Sequence, residues 1–224
     1  MSLVTGMIIK DGIVLCSDSR GITSKTIDNK EIITRISDAE TKITPITEKI
    51  IITETGNAII NKNLTTDKFL NDLKRKTDPN IDIGYFGLNL LNEYTNICDD
   101  NKKLANFYVW GYNKKDEPVV YNIDAYEKTI SNLSIHKYGY IVHGCSDIAE
   151  KMLSEIDFKD LNLTECIELS HLILQTNIDL CKYKAVKKQN IGGKIQTYIM
   201  DNINNKYGWL VDHKIIPDNE YLKY

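Results

Sequence analysis

The side chains that could do catalytic or metal chemistry in this sequence are few and scattered. Four histidines are dispersed along the chain, with neither an HExxH motif nor a paired spacing, so we predict no metal site. The sequence contains no P-loop, no GxGxxG and no GxSxG motif, and we predict that no cofactor is needed. Cys145 could be a nucleophile, but no activating residue adjoins it. A small residue buried at the start of a helix is the simpler interpretation.

Length and composition predict one domain. The 224 residues are 42% hydrophobic, enough for one sizeable core, so we predict a single domain over residues 1–224. The formal net charge is −3 and the charged residues are scattered, which argues against nucleic acid or a membrane surface as a partner. Five cysteines without a CxxC spacing favour a reducing compartment. With neither signal-peptide features nor a long apolar run, we expect a cytoplasmic protein.

Local patterns predict the order of strands and helices. Alternating residues on both sides of Lys10-Asp11-Gly12 predict an opening β-hairpin, because Asp-Gly supplies the backbone conformation of a tight turn. The polar stretch 21–41 is weakly periodic, and we predict an excursion that holds a short strand near residues 32–36. Further strands are predicted at residues 42–46, 49–55, 104–112, 118–123, 128–135, 137–143, 194–200 and 207–211. Helices are predicted at residues 57–76, 83–98, 146–156 and 163–179.

This order predicts an α+β fold. A hairpin, two strands, two helices, a meander, two more helices and a closing hairpin suit two mainly antiparallel sheets sandwiched between helix layers. Seven local sequences occur in an order that resembles a β-type proteasome subunit. They are Lys10-Asp11-Gly12, Asp18-Ser19-Arg20, Lys42-Ile43, Gly56, Trp110-Gly111-Tyr112, Val142-His143-Gly144-Cys145-Ser146 and Gly192-Gly193-Lys194-Ile195. None is specific alone, but their order and spacing carry a resemblance that covers nearly the whole chain. It implies the four-layer αββα fold of the N-terminal-nucleophile hydrolases.

The resemblance also implies a set of catalytic residues. The nucleophile would be Ser2, freed by removal of Met1, and its own α-amino group would be the general base, since its reference pKa of about 7.7 to 8.0 suits neutral pH. Lys42 would lie beside Ser2 and favour the free amine, and Asp18 would hold Lys42. The backbone N–H of Gly56 would be the oxyanion donor. Without the resemblance, Asp18 and Lys42 could be an ordinary surface pair and Gly56 a turn glycine.

Four further residues are implied in supporting roles. Arg20 would brace the end of its strand by ion pairing. Cys145 or Ser146 stands where relatives have a hydroxyl that supports the terminal amine, and Asp179 lies near the position of an expected acid. The altered Cys145-Ser146 element and two insertions, before Lys42 and at residues 181–191, suggest a specialised or degenerate site.

The resemblance implies cleavage of peptide or amide bonds through an acyl-enzyme on Ser2. The partners would be a peptide or protein substrate and further copies of the chain, as a ring or dimer. Two alternatives stay open at this point. One is a catalytically inactive subunit with an assembly role, and the other is a transpeptidase or peptide ligase, because an acyl-enzyme can also pass to an amine.

Overall fold

The computed structural model describes residues 2–27, 30–61, 63–98, 104–133, 138–145, 147–183 and 191–221, without the side chains of residues 23–35. The strands of these ranges are β1 (Leu3–Ile9), β2 (Gly12–Asp18), β3 (Gly21–Ile27), β4 (Lys30–Ser37), β5 (Ile43–Thr47), β6 (Ile50–Thr55), β7 (Ile59–Asn61), β8 (Leu64–Thr65), β9 (Asn106–Tyr112), β10 (Pro118–Asp124), β11 (Thr129–Asn132), β12 (Gly139–Gly144), β13 (Ile195–Asp201), β14 (Lys206–Val211) and β15 (Lys214–Ile216). The helices are α1 (Thr66–Lys76), α2 (Ile83–Ile97), α3 (Asp147–Leu153), α4 (Leu163–Lys182) and α5 (Asp218–Tyr221).

Two antiparallel sheets form the centre of the molecule. The first sheet has six strands in the order β12-β1-β2-β13-β14-β15, and the second has five in the order β11-β10-β9-β6-β5. The opening hairpin lies in the middle of the first sheet, where Val4 pairs with Ser17 on one side and with His143 on the other. The start of the chain is therefore flanked by the ends of β2 and β12.

Three clusters of buried side chains show that the layers stack as helices, sheet, sheet, helices. Leu15, Ile51 and Trp110 belong to the cluster between the two sheets. A second cluster, which includes Phe86 on α2, packs helices α1 and α2 on the second sheet, and a third, which includes Ile173 on α4, packs α3 and α4 on the first. The predicted α+β fold with four αββα layers is confirmed.

The stretch 21–41 contains the short strand predicted near residues 32–36 and a second strand that was not predicted. It contains two strands, β3 and β4, which pair with each other from Gly21 opposite Ser37 to Ile27 opposite Lys30 and join neither main sheet. A two-stranded ribbon outside the main sheets has no need of an apolar face matched to them. Hydrophobic periodicity therefore did not reveal the pairing of β3 with β4.

The first helix starts later than predicted, and the chain has two additional elements near its end. Residues 59–61 and 64–65 pair as β7 and β8, and helix α1 begins at Thr66 because the Thr65 side chain caps it by accepting from the Lys68 amide. Beyond the predicted closing hairpin lie β15 and α5. None of the described helices is long and apolar enough to cross a bilayer.

Candidate active site at the start of the chain

The peptide unit that joins Ser2 to Leu3 is hydrogen-bonded on both sides. Its carbonyl oxygen accepts from the Cys145 amide at 2.7 Å, and its N–H, carried by Leu3, donates to Asp18 Oδ1 at 2.8 Å. Both contacts follow from the register of the first sheet, which sets Leu3 opposite Gly144 and Val4 opposite Ser17. The backbone at Ser2 is thereby fixed in position, and 9% of the residue is exposed.

The Asp18 carboxylate connects the residues around Ser2 by accepting four hydrogen bonds within the described part of the chain. Its Oδ1 accepts from Lys42 Nζ at 2.5 Å as well as from Leu3, and its Oδ2 accepts from the Gly192 amide at 3.1 Å and the Arg20 amide at 3.3 Å. The carboxylate is fully buried, so these donors replace the water that a buried charge loses. Since Lys42 Nζ and the Leu3 amide share one oxygen atom, the lysine lies beside the start of the chain.

Lys42 is a buried cation whose ammonium group forms an ion pair with the buried Asp18 carboxylate. It directly precedes β5, and its carbonyl oxygen accepts from the Glu54 amide at 3.0 Å, which ties it to the second sheet. Loss of hydration lowers the pKa of Lys42, and the attraction of Asp18 offsets only part of that effect. The ion pair with Asp18 therefore stabilises the charged form of Lys42 against the cost of burial.

Gly144 lets the end of β12 approach Ser2 closely. Its φ of 92° lies in the left-handed region, and a Cβ there would overlap the Ser2 carbonyl oxygen. The same Cβ position lies 3.4 Å from the methyl carbon of Thr55, the last residue of β6. The ends of β12 and β6 thus meet beside Ser2. Gly56, exposed and with a φ of 106°, directly follows Thr55.

The Cys145 thiol adjoins this junction. It is half-buried, and burial raises its pKa, so it stays a protonated thiol near neutral pH. Its backbone N–H holds the Ser2 carbonyl. Ser146, the other predicted supporting residue of this element, lies outside the described residues.

Arg20 and Ser19 bind Asp38, which directly follows β4, and so hold the two ends of the β3–β4 ribbon together beside Asp18. The Arg20 guanidinium donates to both carboxylate oxygens of Asp38, at 2.6 and 2.9 Å, and lowers the pKa of that carboxyl. Ser19 Oγ donates to the Asp38 carbonyl at 2.8 Å and accepts from the Lys194 amide at 2.7 Å. The ion pair expected of Arg20 is therefore made with Asp38 at the root of the ribbon.

Asp179 lies apart from these contacts. It is on helix α4, and its carboxylate accepts from Gln175 Nε2, one turn earlier on the same helix, at 3.0 Å. The hydrogen bond of this carboxylate is thus made within its own helix. In the part of the chain that the structure describes, no group of three His, Cys, Asp or Glu side chains is placed to hold a metal ion.

The sequence did not reveal three residues near the site. Gly192 was noted only as the start of the last hairpin, yet its N–H supports Asp18 across 174 residues. Glu54 is half-buried, its Oε2 is enclosed without a hydrogen-bond partner, and burial together with Asp67 raises its pKa to about 8. His143 was noted only as one of four dispersed histidines and as part of the element around Gly144, but it hydrogen-bonds to Thr53 of the second sheet. No local pattern marks these three, because their surroundings come from other strands.

Comparisons with known proteins agree with this architecture. The family model described as proteasome subunit matches residues 2–190. None of the curated proteins matches the sequence significantly.

Three solved structures of Anbu proteins have a similar fold. The Anbu Gly-1 mutant from Hyphomicrobium sp. strain MC1 has a TM-score of 0.67 at 15% identity, covering 100% of this chain and 91% of its own. Anbu from Yersinia bercovieri, described as an ancestral β-subunit, has a TM-score of 0.65 at 13% identity, and the match covers 95% of this chain and 88% of the Yersinia chain. The helical assembly of the Anbu complex from Pseudomonas aeruginosa has 0.66 at 12% identity, also covering 95% and 88%. At such identities the likeness concerns the fold.

Proposed function

This chain belongs to the proteasome subunit family, and from that premise we propose that it cleaves peptide or amide bonds with Ser2 as an N-terminal nucleophile. The observation that carries the proposal is the fixed Ser2–Leu3 peptide unit, whose N–H shares Asp18 Oδ1 with the Lys42 ammonium. Removal of Met1, expected before a small residue such as serine, frees the α-amino group beside the hydroxyl.

In the first half of the reaction, Ser2 Oγ attacks the substrate carbonyl while the α-amino group accepts the hydroxyl proton. Lys42 favours the free amine through its positive charge. The Gly56 N–H is the donor for the oxyanion that forms. The tetrahedral intermediate then collapses: the C–N bond breaks, the departing amine takes the proton from the α-ammonium, and an ester to Ser2 remains.

In the second half, water attacks the ester with the α-amino group again as base. The bond to Ser2 Oγ breaks, the oxygen regains its proton, and the acid product leaves. An amine attacking in place of water would give a new amide, so product analysis with an added amine distinguishes hydrolysis from transpeptidation.

The test is the intact mass of protein produced from its own start codon, with and without a peptide epoxyketone. This electrophile can react with both the hydroxyl and the adjacent amine of a freed serine. We expect loss of Met1 and one adduct on Ser2. Lys42→Met is expected to slow adduct formation by about 10²-fold, because proton transfer at the hydroxyl is impaired.

Ser2→Ala and Ser154→Ala form the matched pair of variants. Ser154 is an exposed serine at the end of α3, so its substitution should leave labelling unchanged, whereas Ser2→Ala should abolish it. Retention of Met1 with no adduct on Ser2 would contradict the proposed chemistry.

A catalytically inactive assembly subunit is the second candidate, and the Cys145 thiol favours it. This thiol stands where relatives have a hydroxyl, and its raised pKa keeps it protonated near neutral pH. One of the similar structures is a helical assembly, and we propose that this chain also forms homo-oligomers. Native mass spectrometry that finds discrete oligomers, with every amide substrate left intact, would favour this candidate.

A further inference from the structure

A chain of hydrogen bonds runs between the two sheets beside the proposed active site. Trp110 Nε1 donates to Thr53 Oγ1 at 2.9 Å, and the same hydroxyl lies 2.9 Å from His143 Nε2. The other ring nitrogen of His143, Nδ1, lies 3.4 Å from Thr55 Oγ1. The Tyr108 ring packs on the imidazole with 4.4 Å between ring centroids. The other four residues, Thr53, Thr55, Tyr108 and Trp110, belong to β6 and β9 of the second sheet, whereas His143 belongs to β12 of the first.

We assign the proton of the neutral His143 ring to Nδ1 from the partners of its two nitrogens. The indole N–H is a donor only, so the Thr53 oxygen accepts from it and the Thr53 hydroxyl proton is available to His143 Nε2. Nε2 is then the acceptor, and Nδ1 carries the hydrogen and donates to Thr55. This arrangement gives a partner to each polar atom of the chain. Only 4% of His143 is exposed, and burial lowers its pKa to about 3, which keeps the ring neutral.

The hydrogen bonds of His143 and Thr55 lie directly beside two parts of the proposed active site. His143 directly precedes Gly144 and Cys145, which hold the Ser2 carbonyl. Thr55 directly precedes Gly56, the proposed oxyanion donor. The Nδ1 contact therefore joins the strand end that holds the Ser2 carbonyl to the strand end that precedes the donor.

We propose that His143 is a positioning residue that sets the distance between Ser2 and Gly56 by linking the ends of β12 and β6. The inference rests on the proposed function for its catalytic consequence, but the link itself is a property of the fold. His143 does not act as the base, because Nε2 is occupied by Thr53 and Nδ1 by Thr55.

The kinetic test uses three variants of His143. His143→Leu removes both contacts, and we expect kcat to fall by about 10- to 100-fold with KM changed less than about threefold, since a displacement near 1 Å costs up to about 10² in rate. His143→Asn can still donate to Thr55 and should retain more activity than His143→Gln, which can still accept from Thr53. Equal kcat in all three variants and in the wild type would overturn the proposal.

A second histidine provides the matched control. His171 Nε2 lies 2.7 Å from Thr197 Oγ1, so it also makes a histidine–threonine contact, but between α4 and β13 and without touching Ser2 or Gly56. His171→Leu should lower stability while leaving kcat unchanged. A loss of kcat as large as that of His143→Leu would mean that any packing defect suffices, and would refute a positioning role.

The link can also be tested without activity. In ¹⁵N spectra of the imidazole, Nδ1 should be protonated and Nε2 should not, and the opposite tautomer would overturn the assignment. Thr55→Val on β6 should shift the amide signal of Cys145 on β12, because the contact that it removes joins these strand ends. If the epoxyketone fails to label the wild type while these spectral results hold, the proposed function fails and the link stands. If labelling succeeds and Thr55→Val leaves the Cys145 signal in place, the link fails alone.

Discussion

Replacing His143 with glutamine should remove a defined part of the acid sensitivity of this protein. The pKa of the buried ring is lowered to about 3, against about 6.5 in an unfolded chain. As the pH falls below 6.5, the unfolded state takes up a proton that the folded state refuses. The contribution of this residue to stability is therefore complete above about pH 6.5 and is lost progressively down to about pH 3.

The loss in the free energy of unfolding at about pH 5 depends only on the pKa of His143 in the unfolded chain, because the ring in the folded protein is still neutral at that pH. One and a half pH units below 6.5, at about 1.4 kcal/mol per unit, give a loss of about 2 kcal/mol in the free energy of unfolding. For a domain of this size, that corresponds to a fall of about 4 to 8 °C in Tm. Tyr108, the titratable side chain packed on the ring, has a raised pKa and stays neutral throughout this range.

The assay is urea unfolding at about pH 7.5 and about pH 5 for the wild type and His143→Gln. The difference between the two proteins is the relevant quantity, because Glu54, with a pKa raised to about 8, stabilises the fold on acidification and opposes the histidine. The difference should shrink by about 2 kcal/mol at the lower pH. His213→Asn, at an exposed turn position, is the control histidine substitution. Parallel pH dependence in the wild type and His143→Gln would refute the neutral buried ring.

Four other substitutions test the surroundings of the site. Asp18→Asn leaves the Lys42 cation buried without its counter-charge, and urea unfolding should show a loss of about 3 to 5 kcal/mol. Lys42→Met should cost less, because three backbone N–H groups still bind Asp18, and the reverse order would be inconsistent with this account. Gly144→Ala puts a Cβ against a carbonyl oxygen at positive φ, and thermal unfolding should show a loss of more than about 1 kcal/mol. Glu54→Gln should raise stability above about pH 8, where the enclosed carboxylate ionises, and a gain confined to acidic pH would disprove that reasoning.

Much of the architecture could be predicted from local sequence. Asp11-Gly12 between two alternating runs predicted the opening hairpin, and strand and helix periods predicted most of the two sheets and the four long helical segments. The order of the motifs then identified Asp18 and Lys42 as a pair, and the structure brings them within 2.5 Å. These features are visible because turn chemistry and side-chain period are properties of short segments.

The surroundings of the pair were decided by the tertiary structure. The N–H of Gly192 reaches Asp18 because β13 pairs with β2. His143 contacts Thr53, 90 residues away in the sequence, because the two sheets pack face to face. Of the ribbon, only the strand near residues 32–36 was predicted, and its partner β3 was not, since the ribbon joins neither sheet. By itself, the sequence determined which segments become strands and helices and where charged residues fall among them. Strand register and the packing of the sheets decided which of those residues meet, because such contacts join segments far apart in the chain and leave no local period.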